Sequence, residues 1–203
     1  MNTGITIPPS KSTMTTQEEK TRRAELIAAA SRLFKEQGYE RTTVRDLAQA
    51  VGMQSGSLFY HFRTKEEMLV AVMAAGIGEL TDRLEDALAQ AKTPLDRLKT
   101  LFRVHLETLL GDDKGALSVL LYEWPSLSDK ARAELIKLRN GYEKDWQDVL
   151  DEAAAAGLVH KDTRLLRKLL LGGLHWTIQW YKPDGGKTPL ELADAMLELV
   201  LKN

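Results

Sequence analysis

Apolar residues recur at three- and four-residue spacing along almost the whole chain, and no stretch of four to eight residues alternates cleanly between apolar and polar. The pattern predicts an all-α protein. A first helix is expected over 21–37, with Leu26, Ile27, Ala30, Leu33 and Phe34 on one stripe and Gly38 as its stop. Thr43, with Asp46 three residues on, opens a short second helix carrying Leu47, Ala48 and Val51 and ending at Gly52. Ser55 is expected to cap a third over 56–62, and Thr64 a long fourth to about residue 91 with Glu66 and Glu67 in its first turn. Thr93-Pro94 and Thr188-Pro189, each a cap followed by proline at the first helical position, start a fifth helix to about 110 and a ninth ending near 202. Three more are expected over 116–122, 128–156 and 162–181. The chain therefore divides into a Thr/Ser/Pro-rich tail over 1–17, a three-helix unit over 18–64, and a six-helix unit over 65–203.

With 203 residues, 43% hydrophobic and 28% charged, the composition is that of a soluble globular protein with enough chain for a sizeable core. The absence of cysteine removes disulfides, thiolate metal sites, iron–sulfur clusters and cysteine nucleophiles, and fits a reducing compartment. No apolar run approaches the ~18 residues of a spanning helix, and the N-terminus has no basic start followed by an apolar stretch. A cytoplasmic location without membrane attachment is expected. The net charge of −1 hides an asymmetry: residues 1–63 hold nine Lys/Arg against six acids, so that portion is +3 and the remainder −4. A basic end on an acidic body permits nucleic-acid binding at that end, and an ordinary mixed surface accounts for it equally well.

The three-helix unit is where the pattern becomes specific. Two short helices joined through VGMQSGS are the outline of a helix-turn-helix, whose second helix can enter a major groove about 12 Å wide. That helix carries Gln54, Ser55, Ser57, Tyr60 and His61, while Leu58, Phe59 and Phe62 are available to pin it beneath. Spacing alone leaves a second reading open, in which these are solvated polar residues of a small bundle. The run GYERTTVRDLAQAVGMQSGSLFYHFRTK, residues 38–65, strongly resembles the DNA-binding segment of the TetR family of bacterial one-component transcriptional regulators. Only mild departures occur, Met53 where Val is common and Phe59 where Tyr often stands.

The resemblance implies that Thr43, Arg45, Gln54, Ser55, Ser57, Tyr60, His61 and Lys65 face DNA. Thr43 and Lys65, at helix starts, suit phosphates; Gln54, Ser55, Ser57 and Tyr60 suit base edges or thymine methyls; Arg45 suits either. His61 can instead be half-buried and hydrogen-bonded. Arg22 and Arg23 read as a solvated terminus that can also reach DNA backbone.

The family's C-terminal domain binds effectors and dimerises, and the expected helices over 65–203 fit its order and lengths. Helix eight is apolar on more than one face, and Leu169, Gly172, Gly173 and Trp180, with Met196, Leu199 and Val200 from helix nine, are expected to make a four-helix homodimer interface. The Gly pair costs about 1 kcal/mol per residue inside a helix relative to Ala, which is tolerated where another backbone comes close. An aromatic-lined effector pocket is expected from Phe102, His105, Leu106, Leu109, Tyr122, Trp124, Tyr142, Trp146 and Trp176, although aromatics at helical spacing also make plain core. The stretch LHWTIQWYKPDGG is similar to the C-terminal part of TetR members that control lipid or sterol breakdown and respond to acyl-CoA thioesters. For such a ligand Arg103, Arg139 or Lys144 would meet phosphate or carboxylate.

Enzyme readings lack motifs. The four His share no HExxH spacing, no GxSxG occurs, and Gly186-Lys187-Thr188 lacks the upstream glycine of a P-loop. No metal, cofactor or catalytic residue is expected. The reading is thus a repressor on double-stranded palindromic operator DNA, released by a small apolar or acyl-CoA-like effector. The alternative is an all-α ligand-binding or protein-interaction module that does not bind DNA.

Overall fold

The computed structural model describes residues 16–111 and 115–202, with side chains from residue 18. The helices are α1 (Thr16–Gln37), α2 (Val44–Ala50), α3 (Ser55–His61), α4 (Lys65–Leu88), α5 (Pro94–Leu110), α6 (Gly115–Tyr122), α7 (Asp129–Ala155), α8 (Thr163–Trp180) and α9 (Pro189–Glu198). A single 3-10 turn at Trp124–Ser126 joins α6 to α7. Among the described residues there is no strand, and no helix is long and apolar enough to cross a membrane.

The caps follow the sequence. Thr64, Thr93, Ser128, Asp162 and Thr188 each accept a hydrogen bond from the backbone N–H three residues on, closing an otherwise orphaned donor. Helix α1 starts five residues before the expected residue 21, because Glu18 and Glu19 in its first turn suit the helix dipole without needing burial. Of the expected tail, residues 1–15 lie outside the described part. Helix α3 begins at Ser55 rather than after it, and its cap residue Gln54 makes no side-chain capping bond.

Two apolar cores are strung on one helix. Met68, Leu69, Val72 and Met73, from the first half of α4, pack with Leu26, Phe34, Leu47, Leu58 and Phe62 of the three-helix unit. Leu80, Leu84 and Leu88, from the second half, pack with α5, α7, α8 and α9 around the fully buried Trp146. The three-helix unit thus does not close its core at residue 64. It borrows half of α4 and the start of α7, through Ala131 and Leu135.

The packing is close where α4 crosses α6. A Cβ added at Gly76 would stand 2.9 Å from the Ala116 Cβ and 3.1 Å from its backbone carbonyl carbon. Glycine is therefore required there by closeness of approach, not by backbone conformation. Gly76→Ala should destabilise the fold by about 1–3 kcal/mol through overpacking, read as a lower urea midpoint at unchanged slope. An unchanged midpoint would show that α6 moves aside freely.

Candidate nucleic-acid interface

The reader is assembled from two locally determined helices. Thr43 Oγ1 accepts from the Asp46 N–H at 3.2 Å, and the Asp46 carboxylate accepts the Thr43 N–H and hydroxyl at 2.8 and 2.7 Å. The reciprocal bonds hold the Asp46 carboxyl below its ordinary range, the Thr43 hydroxyl being the largest cause. The turn after α2 then needs a left-handed residue, supplied by Gly52 at φ +66°, while the Met53 N–H returns to the Ala48 carbonyl.

Leu58 and Phe62, one helical turn apart, fix α3 from below and are fully buried. Phe59 does not join them, contrary to the sequence expectation. It lies about 100° further round the helix and is 49% exposed. Gln54, Ser57 and Tyr60 are exposed, Tyr60 at 75%, and Ser55 and His61 are half-buried. Arg45 is exposed on α2. The Tyr60 hydroxyl donates to Glu19 of α1 at 3.0 Å, an interaction that raises its pKa, and the Tyr60 and His61 rings meet edge-on at 5.3 Å. Arg23 is no mere terminus: its guanidinium lies 4.7 Å from the Phe62 ring centroid.

Two residues expected at phosphates have work inside the protein. The Thr43 hydroxyl proton is committed to Asp46. The Lys65 ammonium donates to the Tyr39 and Thr42 carbonyls at 2.9 and 3.1 Å and lies 4.1 Å from the Tyr39 ring centroid. Two of its three N–H donors are spent tying the α1–α2 turn to the start of α4. Sequence spacing showed only a lysine at a helix start, because nothing in it marks two carbonyls brought together by a turn 23 to 26 residues away.

A second site lies in the C-terminal core. A cavity with about 50 Å³ of room for water centres opens among Leu80, His105, Leu109, Tyr142, Leu171 and His175, with Arg139 and Glu143 at its polar side. His105, Leu109 and Tyr142 are expected pocket residues that reach it. Phe102, Leu106 and Trp146 are fully buried and serve as packing beside it. Tyr122 is half-exposed and accepts a hydrogen bond from Gln179, and Trp124 sits on the 3-10 turn with the Arg139 guanidinium 5.6 Å from its ring centroid. Trp176 is 64% exposed and points away from the cavity's residues, on the outer face of α8.

Sequence reading missed His175, the residue before Trp176 and four after Leu171, which places it on the inner face. The Arg103 guanidinium is bound to Asp194 through two contacts at 2.6 and 2.8 Å, tying α5 to α9 and holding the Asp194 carboxyl below its usual range. Lys144 pairs with Asp148 on the surface.

The outer face of α8 presents Leu165, Leu169, Trp176 and Trp180 in one stripe at four- and seven-residue spacing, each at least half exposed. Gly172 and Gly173 lie within it, and a Cβ added at either meets nothing within 4 Å. Leu199, just after α9, is exposed. Met196 and Val200 are half-buried against the chain's own core, because α9 packs along α5 and turns that side inward.

A helix-turn-helix with an exposed polar recognition helix, joined by one continuous helix to an all-α domain with its own cavity, defines a one-component DNA-binding regulator. Residues 26–72 match the family of bacterial regulatory proteins of the tetR type, and residues 91–203 match the tetracyclin repressor-like C-terminal domain. The chain belongs to the TetR family, whose members are transcriptional regulators and not enzymes. It is 31% identical over 192 residues to the HTH-type transcriptional repressor KstR2 of Mycolicibacterium smegmatis, covering 92% of each chain. Among solved structures it resembles the superantigen PfiT, at 43% identity and TM-score 0.82, covering 91% of this chain and 98% of that one. It also resembles AibR in complex with isovaleryl coenzyme A and operator DNA, at 26% identity and TM-score 0.80, covering 88% and 97%.

Replacing Lys65 with Ala leaves two carbonyls without their shared donor. It should cost about 1–3 kcal/mol of stability, read by thermal or urea unfolding. A variant as stable as the parent would return Lys65 to the surface and to phosphate.

Proposed function

We propose that the protein is a cytoplasmic repressor that binds a palindromic operator as a homodimer and lets go when a small acyl-CoA-like effector fills the cavity between α4, α5, α7 and α8. The observation that carries this reading is the division of α4: its first half belongs to the reader's core and its second half to the core around the cavity. An effector that prefers one tilt of α4 changes the separation of two recognition helices, and about 1–3 kcal/mol of such coupling is enough for five- to 150-fold regulation. The relatives support the two binding capacities and the repressor role, since AibR has been solved with operator DNA and isovaleryl coenzyme A together and KstR2 is a repressor, while release rests on the division of α4.

Homodimerisation is supported by the α8 stripe. Four large apolar side chains around a Gly pair make a close-approach surface that nothing among the described residues covers. A two-fold partner also supplies the second recognition helix that a palindrome requires, one duplex turn of about 34–36 Å away. Gln54, Ser57 and Tyr60 are the residues proposed to read base edges, with Ser55, His61 and Arg45 beside them, and Thr43 and Lys65 holding the frame that aims them.

Tyr60→Ala should weaken operator binding at least about tenfold, the worth of one good base contact, in a gel shift at fixed salt. Its unfolding midpoint should not move, because the ring is exposed. Undiminished affinity removes Tyr60 from the reader. Leu169→Asp with Trp180→Asp should convert the protein to monomer in sedimentation velocity and abolish specific operator shifts; a dimer that persists places the interface elsewhere.

A further inference from the structure

Among the atoms of the cavity's lining residues, His105 Nε2 and Arg139 Nε are buried without a hydrogen-bond partner. His105 is 1% exposed. Its Nδ1 lies 2.6 Å from the Tyr142 hydroxyl, and its Nε2 is buried without a hydrogen-bond partner. A buried polar group in that condition costs about 1–3 kcal/mol, so its retention beside an apolar cavity is a sign of a missing acceptor or donor.

The chemistry around it says which. Burial pushes the Tyr142 phenol above its ordinary range, so it keeps its proton, and in one of the two imidazole tautomers its hydroxyl donates to Nδ1. A neutral imidazole that accepts at Nδ1 carries its own proton on Nε2. Nothing nearby makes the ring a cation, since burial and the adjacent His175 both hold its pKa well below the usual histidine range. His175, its ring centroid 5.0 Å away, is itself pushed down to about 4 by burial and by Arg139. On the cavity's polar side one carboxylate serves two guanidinium groups. Glu143 pairs with Arg139 at 3.0 Å and with Arg167 at 3.4 Å. The remaining lining is aliphatic, with Leu80, Leu109, Leu117 and Leu171 among it.

Resting on the effector reading above, we propose that His105 Nε2–H is the hydrogen-bond donor to the carbonyl oxygen of a short, uncharged acyl group, and that this contact selects a thioester's acyl end over the corresponding free carboxylate. A carboxylate entering the same space would lose its hydration to neutral imidazoles and a paired arginine, which is far costlier than burying a carbonyl. About 50 Å³ of free space takes a short branched chain only after side-chain movement, and a larger acyl group needs correspondingly more. Tyr142 is a positioning residue: its hydroxyl fixes the tautomer that makes Nε2 the donor.

The test pairs a deletion in the ligand with a deletion in the protein. Calorimetry on the full-length chain would compare isovaleryl coenzyme A with its thioether analogue, in which CH2 replaces the carbonyl. In the parent protein the analogue should bind about tenfold or more weakly, and in His105→Leu the two should bind within about twofold of one another. The same ratio in both proteins overturns the proposal, as does isovalerate binding as tightly as the thioester. So does absence of binding across acyl coenzyme A chains from acetyl to octanoyl. Nitrogen-15 spectra of the ligand-free parent protein give an arm independent of any variant's folding: His105 should be protonated at Nε2, and protonation at Nδ1 refutes the donor assignment. The two readings fail separately. If the calorimetric coupling holds while saturating isovaleryl coenzyme A leaves the operator complex intact, release is wrong and the anchor stands; if coupling is absent but the effector releases DNA, the reverse follows.

Discussion

The structure depends on the contact of α4 with everything else. A helix of 24 residues serves two cores at once, and neither core is complete without it. Its N-terminal end is tied to the reader by the Lys65 ammonium on two carbonyls, and its middle lies against α6 so closely that only glycine fits at position 76. A rod clamped at one end and pressed in the middle cannot tilt at the cavity without moving the reader. That is a mechanical constraint set by packing, and it gives effector binding a physical route to the DNA face.

A second contact reinforces the route. Glu123, at the end of α6, accepts the Tyr39 backbone N–H at 3.0 Å, and Ser128, just before α7, donates its N–H to Glu66 of α4. Leu117, Leu120 and Leu121 of α6 line the cavity while Val119 of the same helix packs in the reader's core. Helix α6 is therefore a second, shorter element with one side in each core. Coupling through two such elements is reciprocal: whatever loosens the operator on effector binding also weakens the effector when operator is bound.

The reader was legible in the sequence because its determinants are local. A capping box at Thr43 and Asp46, glycine at the left-handed turn position, and the spacing of Leu58 and Phe62 are each set within a few residues. What depended on distant chain was not legible. Phe59 and Trp176 are large and apolar, yet helix phase turns both outward, one on the exposed side of α3 and one onto the α8 stripe. The cavity was half legible: His105, Leu109 and Tyr142 were expected there, but an apolar residue in an amphipathic helix reads alike whether it fills a core, as Phe102 and Trp146 do, or lines a space. The packing of the reader runs on past residue 64, where a helix begins, because α4 is continuous in sequence pattern and shared in space.

The absence of native cysteine allows one spin label per chain, and Gln49, exposed on α2 and outside the recognition helix, is a suitable site for it through Gln49→Cys. The distance between the two labels of the dimer, measured by pulsed electron resonance with and without isovaleryl coenzyme A, reads the separation of the two readers directly. The account predicts a displaced modal distance on adding the effector, and a return toward the unliganded distribution when operator DNA is supplied in excess. Superimposable distributions under all three conditions, with effector binding demonstrated in the same sample, would contradict the coupling of cavity to reader through α4.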